Sequence, residues 1–306
     1  MKDWKFINTP AQPVLSFSSL EELAVLAKTT PQRLMQLGRH EVDLYDDVSL
    51  TNPKTGKVRQ LSIPQPELKQ IQKVLLHSIK VDWYHSFSSI AHAYIPRRSI
   101  RSAANQHPWS KTGFKVDIKD YFPSINQMML MDRWGFIWRS EQTIDYRGLR
   151  LIVTGLATRS PHNADYVGHS FLPQGSPTSG LFANLATRGL DRSLSRIARN
   201  EGFRVTRYSD DILFTSDKVR SRVELEQGLE RVQGAIRQHG FGRHIVRQSS
   251  HIRSLYYRID RAWLGRIARP SKWDCCPPQV DRRRSGPSAG NCSSHCGTLF
   301  LQRYRL

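Results

Sequence analysis

The stretch RYSDDILFTS, residues 207–216, sets two aspartates side by side between short apolar runs. With FRVT ahead of it, the segment reads as two short strands with Ser209 and Asp210 at the bend. A strand–bend–strand of this kind commits the chain to an antiparallel hairpin. Its tip must also tolerate two like charges in contact. Strand sequences are poor in aspartate, and neighbouring carboxylates disfavour each other's ionised form. A solvated turn accounts for a lone Asp-Asp pair. It accounts less well for a pair that has a third acid upstream.

That third acid is Asp117, in FKVDIKDYFPSI, a predicted strand running into a turn at Pro123. If the two segments are neighbouring strands of one sheet, Asp117 faces the hairpin tip. Three carboxylates there form a hard, oxygen-rich site suited to Mg²⁺. A pair of divalent cations neutralises the clustered charge and clamps the attacking and leaving oxygens of a phosphoryl transfer.

The surrounding chain is basic. Lys and Arg number 46 against 26 Asp and Glu, a formal charge of +20, which points to a polyanionic partner such as nucleic acid. The 306 residues suffice for a sizeable core and two or three subdomains. No apolar run approaches the ~18 residues of a membrane span, and MKDWKFINTP lacks a signal-peptide core. A cytoplasmic protein with no membrane partner is the expectation. All four cysteines lie beyond residue 270, so no disulfide framework is expected before them.

Periodicity gives the coarse order. SLEELAVLAKTT starts a helix with Ser19 as N-cap, Glu22 completing a capping box and Leu20, Leu23 and Leu26 as its stripe. A second helix follows from Pro31 through Leu37. VRQLSI alternates as a strand, and ELKQIQKVLLHSIKVDWY carries Leu68, Ile71, Leu75 and Ile79 at helical spacing. LFANLATRGLDRSLSRIARNEGF predicts one long helix ended by Gly202. RVELEQGLERVQGAIRQHGF predicts another, with Val223, Leu229, Val232 and Ile236 inward and Gly240 closing it. The expected class is α+β with an antiparallel sheet.

Four segments then carry a resemblance. YSDD at Tyr208–Asp211 resembles the YxDD box of reverse transcriptases, and LPQGSPTSG at Leu172–Gly180 resembles their LPQG-x-P-x-S motif. DIKDYFPSI at Asp117–Ile125 is similar to the segment bearing their first metal aspartate. GKVRQLSIPQPELKQIQKVLL resembles the fingers motif of bacterial members. The match runs from about Leu20 to Phe241, in the family's order. AHAYIPRRSIRSAANQHPWS further resembles a retron-type segment, departing at Ala103 and at Ala93-Tyr94, where the family has Asn and Gly-Phe. The triplet Val153–Gly155 lies upstream of the LPQG box and so is not the retron thumb signature.

The resemblance implies a right-hand polymerase palm with fingers, a helical region over 1–45, fingers and palm over 46–241, and an atypical or missing thumb over 242–306. It implies RNA-directed DNA synthesis with two Mg²⁺, Mn²⁺ being a substitute, held by Asp117, Asp210 and Asp211, with a backbone carbonyl from Ile118. It places Phe122 as the steric gate against a ribose 2′-hydroxyl, Gln174 and Gly175 beside the incoming nucleotide, and Lys57 and Arg59 on its triphosphate. Arg97, Arg98, Arg101 and His107 are the RNA-binding candidates, with Trp109 available for stacking, and Tyr208 is placed near the primer end. The implied partners are an RNA template and primer, dNTPs, an RNA–DNA hybrid product, a dedicated non-coding RNA and an accessory effector protein. The retron context adds branched RNA-linked DNA and anti-phage defence. A group II intron-like enzyme and a non-catalytic RNA-binding relict are the competing readings.

The resemblance stops after Gly240-Phe241. Residues 241–306 hold twelve Arg and one Lys against three Asp and no Glu. Three readings stand for this tail: a divergent Arg-rich thumb, a zinc site from Cys275, Cys276, Cys292, His295 and Cys296, or a reading frame shifted near residue 242. Adjacent cysteines and C-x₃-C do not match common zinc spacings, and Arg-, Ser-, Pro- and Cys-rich text favours the shifted frame.

Overall fold

The computed structural model describes residues 14–53, 56, 58–80, 87–134, 146–160, 169–242 and 252–258. Lys57 and the five candidate zinc residues lie outside them.

Strand β1 (Val14–Leu15) leads into helices α1 (Leu20–Ala27) and α2 (Pro31–Gly38). Ser19 Oγ accepts from Glu22 N at 3.2 Å, as an N-cap should. The Glu22 carboxylate instead turns back one residue further, taking the N–H of Ser18 at 2.7 Å. The buried stripe of α1 is Leu23, Ala24 and Ala27, while Leu26 faces solvent. The predicted three-residue spacing therefore ran out of phase by the end of this two-turn helix. A hairpin follows, β2 (Tyr45–Thr51) with β3 (Val58–Pro64), exposed at its tip and buried at its base. Helix α3 (Pro66–Ser78) buries Leu68, Ile71 and Leu75 and ends in β4 (Ile79–Lys80), which pairs with β1.

The main sheet has the order β6-β7-β5-β8 and is antiparallel throughout, with β5 (Thr112–Ile118), β6 (Arg204–Tyr208), β7 (Asp211–Ser216) and β8 (Ile252–Arg258). β8 comes from the tail, which showed no sustained period in sequence, and it covers the free edge of β5. Between the strands lie α4 (Ile100–Ala104), α5 (Gln127–Trp134), α6 (Tyr146–Ala157), α7 (Ser179–Ala186), α8 (Arg188–Glu201) and, after β7, α9 (Arg222–Gln238).

The single predicted helix across 181–203 is two, α7 and α8, broken at Thr187. The Thr187 hydroxyl donates to Ala183 O at 2.8 Å, a back-bond that bends helices. On α9, Leu225, Leu229, Val232 and Ile236 are buried, but Val223 is 61% exposed. It lies two residues from Leu225, on the opposite side of the helix.

The sheet alternates as a pleat requires. Phe114, Val116 and Ile118 of β5 and Ile212 and Phe214 of β7 are buried. The Phe114 and Phe214 rings stack at 5.1 Å, with Phe203 edge-on to both. Each fully buried apolar side chain of this size contributes roughly 1.5–3 kcal/mol. The other face of β5 carries the half-buried Lys115 and Asp117, so alternation alone aims both away from the core.

The Val153–Gly155 triplet has a packing role. A Cβ on Gly155 would lie 1.8 Å from Gly38 O, so α6 and α2 cross backbone to backbone at this point.

Candidate active site

Asp117 and Asp211 are direct partners across the β5–β7 pair. Asp210 sits in the turn between β6 and β7, and its carbonyl accepts from Ile118 N at 3.1 Å. Ser209 before it has φ +60°, the left-handed setting that lets the chain reverse within two residues. Alternation of β5, pairing with β7 and the tight turn thus deliver three carboxylates to one end of the sheet.

Their electrostatics differ. Burial, then the charges of Asp211 and Asp117, push the Asp210 carboxyl up to about 6, and its side chain meets Asp117 in hydrogen-bonding contact. Asp211 is also raised by burial, but the Lys115 ammonium, 2.5 Å from Asp211 Oδ1, pulls the other way. Among the described residues, no three His, Cys, Asp or Glu side chains form a ready-made metal cage. Two of the three acids nevertheless fit a hard divalent cation. Asp117 and Asp210 offer neighbouring carboxylates whose mutual repulsion a cation would relieve, and the third donor, Asp211, is held by Lys115. The sequence reading missed Lys115, although its place two residues before Asp117 on an alternating strand put it on the same face.

The turn is anchored from behind by Arg207, which is fully buried. Its Nη1 donates to Ser209 O at 3.0 Å and to Tyr121 Oη at 3.1 Å. The Tyr94 hydroxyl lies 3.2 Å from Ser209 Oγ. Burial pushes that phenol up to about 12, so it stays protonated at neutral pH. Phe122 is half-buried beside these groups, with the Tyr94 ring at 5.8 Å and the Tyr121 ring at 5.4 Å, both edge-on. The predicted gate residue is therefore within two contacts of the Asp210 turn. Tyr208 is 37% exposed at the end of β6.

The LPQG loop links the turn after β5 to the β2–β3 hairpin. Leu172 N donates to Ile125 O at 2.9 Å, and Gln174 O accepts from Ser62 N of β3 at 2.9 Å. Gly175 has φ +129°, and a Cβ there would lie 2.9 Å from Ser62 O. The close approach this glycine permits is thus to β3. Ser176 Oγ donates to Gln72 Oε1 at 2.9 Å. Arg159, which the sequence reading passed over, reinforces the same junction with Asp43 at 2.8 Å, Asp47 at 2.5 Å and Ser62 Oγ at 2.9 Å. Arg59 is exposed on β3, three residues before Ser62.

The RNA-binding candidates divide. Arg97 and Arg101 are exposed. Arg98 turns inward and donates from Nη1 to Ser88 O and Ala91 O, both at 2.6 Å, so its guanidinium braces its own loop. His107 is 0% exposed, with Nδ1 2.6 Å from Thr215 Oγ1 and Nε2 2.7 Å from Thr206 Oγ1. This corrects its placement as an RNA contact: it is a pin between the segment after α4 and the paired strands β6 and β7. Trp109 just beyond it is 71% exposed.

Among the described residues, no helix is long and apolar enough to cross a membrane.

Comparison with known proteins adds a family. Residues 50–244 match the family described as Reverse transcriptase (RNA-dependent DNA polymerase). The chain is 31% identical to the retron Mx162 reverse transcriptase of Myxococcus xanthus over 258 residues, 76% of this chain and 50% of that protein. It is 31% identical to the retron Mx65 reverse transcriptase of the same organism over 181 residues, 56% of this chain and 41% of that protein. It is 30% identical to the retron Ec73 reverse transcriptase of Escherichia coli over 178 residues, 54% of this chain and 51% of that protein. The chain thus spans about half the length of these curated relatives.

Proposed function

Because the chain belongs to the reverse transcriptase (RNA-dependent DNA polymerase) family, we propose that it extends a primer with deoxynucleotides on an RNA template, as a retron-type enzyme. The observation that carries this reading is the pairing of Asp117 with Asp211 across β5–β7, with Asp210 in the adjoining turn.

Reverse transcriptases as a class use divalent metal ions. Here Asp117 and Asp210, joined by Asp211 once it leaves Lys115, would hold two Mg²⁺, with Mn²⁺ able to replace them and the Ile118 carbonyl as a further donor. Such ions lower the pKa of the primer hydroxyl and neutralise charge on the leaving pyrophosphate. The protein's own residues do the rest. Phe122 stands where a ribose 2′-hydroxyl would have to fit. Gln174 and Gly175 present the loop beside the nucleotide, and Arg59, with Lys57, offers cations to the triphosphate, a guanidinium fork suiting phosphate oxygens. Arg97 and Arg101 supply exposed positive charge for an RNA backbone, in keeping with the overall charge of +20.

The retron relatives support the finer part of the proposal. The template is a dedicated structured non-coding RNA, priming uses an RNA 2′-hydroxyl, and the product is branched RNA-linked DNA made in the cytoplasm. Anti-phage defence with an accessory effector protein is the matching role. One observation favours a second reading, a non-catalytic RNA-binding relict: Asp211 is paired with Lys115.

dNTP incorporation on a primed RNA template with Mg²⁺ separates the two, using the full chain and Asp210→Ala. Incorporation by the parent that the substitution abolishes supports the polymerase. Incorporation by neither leaves the relict reading as the better one.

A further inference from the structure

We propose that Tyr94 is a positioning residue for the gate: by backing Phe122 it sets how firmly the site refuses a ribonucleotide. This rests on the reading of Phe122 as the steric gate of a polymerase.

Phe122 is held edge-on by two tyrosines whose situations differ. Tyr121 is 4% exposed, and its hydroxyl takes an N–H from Arg207 at 3.1 Å and lies 3.4 Å from Thr187 Oγ1. That side of the gate is fixed by the buried interior. Tyr94 is 42% exposed and has φ +58°. A left-handed backbone is costly for an aromatic residue and persists only where the surroundings enforce it. Three contacts do so. Asn184 Nδ2 donates to Ala93 O at 2.8 Å. The Tyr94 hydroxyl meets Ser209 Oγ at 3.2 Å. The ring lies against Gly180, where an added Cβ would come within 2.6 Å of Tyr94 Cγ.

Core packing does not account for a strained, half-exposed aromatic. Its position does, because one side chain touches the gate, the residue before Asp210 and the start of α7 after the LPQG loop. A gate discriminates only as well as it resists displacement. Without the Tyr94 ring, Phe122 has free space on its outer side and can yield to a 2′-hydroxyl. The Tyr94 hydroxyl acts only by holding its own ring in place, so the ring carries the effect.

The test is the ratio of kcat/KM for ribonucleotide against deoxynucleotide on a primed RNA template, for the full-length parent, Phe122→Ala, Tyr94→Asn and Tyr94→Phe. Asparagine removes the ring yet tolerates a left-handed backbone. Phe122→Ala should raise the ratio strongly. Tyr94→Asn should raise it about tenfold, the scale on which loosened apolar contacts change discrimination. Tyr94→Phe should leave it within about twofold. Thermal melts check folding, and Tyr94→Leu gives the same readout if the asparagine variant is unfolded. A raised ratio in Phe122→Ala with an unchanged one in both ring-deleting variants overturns this inference and leaves the gate standing. An unchanged ratio in Phe122→Ala overturns the gate and this inference with it. No incorporation by the parent overturns the polymerase reading beneath both.

Discussion

Arg207 donates from Nε and Nη2 to the two carboxylate oxygens of Asp191, at 2.6 and 2.9 Å, with side chains 0% and 1% exposed. The pair joins β6 to α8 directly behind the turn that carries Asp210. Its remaining N–H groups go to Tyr121 Oη, Ser209 O and Asn184 Oδ1. Burial disfavours the charged guanidinium, but the Asp191 carboxylate outweighs it and the pKa is raised. The turn that carries Asp210 thus hangs from a charge that has no access to water.

Asp191→Asn should therefore destabilise the protein by about 3–5 kcal/mol, because it leaves a buried cation without its counter-charge. The denaturant midpoint measures this. A loss under about 1 kcal/mol would mean that neutral partners suffice to hold Arg207.

Asp210→Asn should abolish nucleotide incorporation while the protein melts no lower than the parent. Asp210 is crowded by Asp211 and Asp117, so removing its charge relieves repulsion. Added Mg²⁺ should raise the parent's melting temperature and leave that of the variant nearly unchanged, since a ligand stabilises only the fold that binds it. An equal Mg²⁺ effect on both proteins would place the cation elsewhere.

Much of this site was legible beforehand because its signals are local. The bend between two apolar runs gave the β6–β7 hairpin, and strand alternation put Asp117 on an open face. What the sequence did not disclose depends on partners far along the chain. Arginine in a strand reads as surface, yet Arg207 is interior because Asp191, Asn184 and Tyr121 converge on it. Arg98 and His107 read as a basic RNA-facing patch, but carbonyls of the 88–91 loop and two threonine hydroxyls claim them. β8 has little periodicity of its own and is a strand by virtue of the edge that β5 offers it. Leu26 and Val223 were misplaced because a few apolar residues at a helix end fix its phase poorly.

The buried histidines make stability depend on acid. Burial, followed by the Arg204 charge, pushes His107 down to about 4, and burial with Arg98 and Arg207 does the same to His92, from a usual value of 6.5. Between pH 6.5 and about 4 the unfolded chain binds protons that the fold refuses. Their contribution is therefore full above 6.5 and falls as the pH drops through that window, offset in part by Asp210, whose raised carboxyl takes up its proton in the folded state near pH 6. Denaturant midpoints at pH 7.5 and 5 should show the loss, and His107→Gln should show a shallower slope from a lower starting stability. An unchanged slope would show that His107 is not among the groups responsible.

Gly175→Ala tests the junction between the LPQG loop and β3. Two independent obstacles meet any side chain there. The backbone is at φ +129°, which L-residues rarely adopt, and the new Cβ would lie 2.9 Å from Ser62 O, a backbone atom that cannot swing aside. Ser62 N is also the donor to Gln174 O, so relief by moving β3 costs the bond that registers the loop. Together these should cost about 1–3 kcal/mol of stability. They should also lower kcat/KM for the incoming nucleotide more than the melting temperature alone accounts for, because Gln174 shifts with its neighbour. Gly56→Ala is the control. Its φ is +65°, but nothing lies within 4 Å of an added Cβ. It should cost only the backbone strain, about 1 kcal/mol, and leave kinetics unchanged. If the two variants behave alike in both stability and kinetics, the contact with Ser62 does not position the loop, and only the glycine's torsion matters.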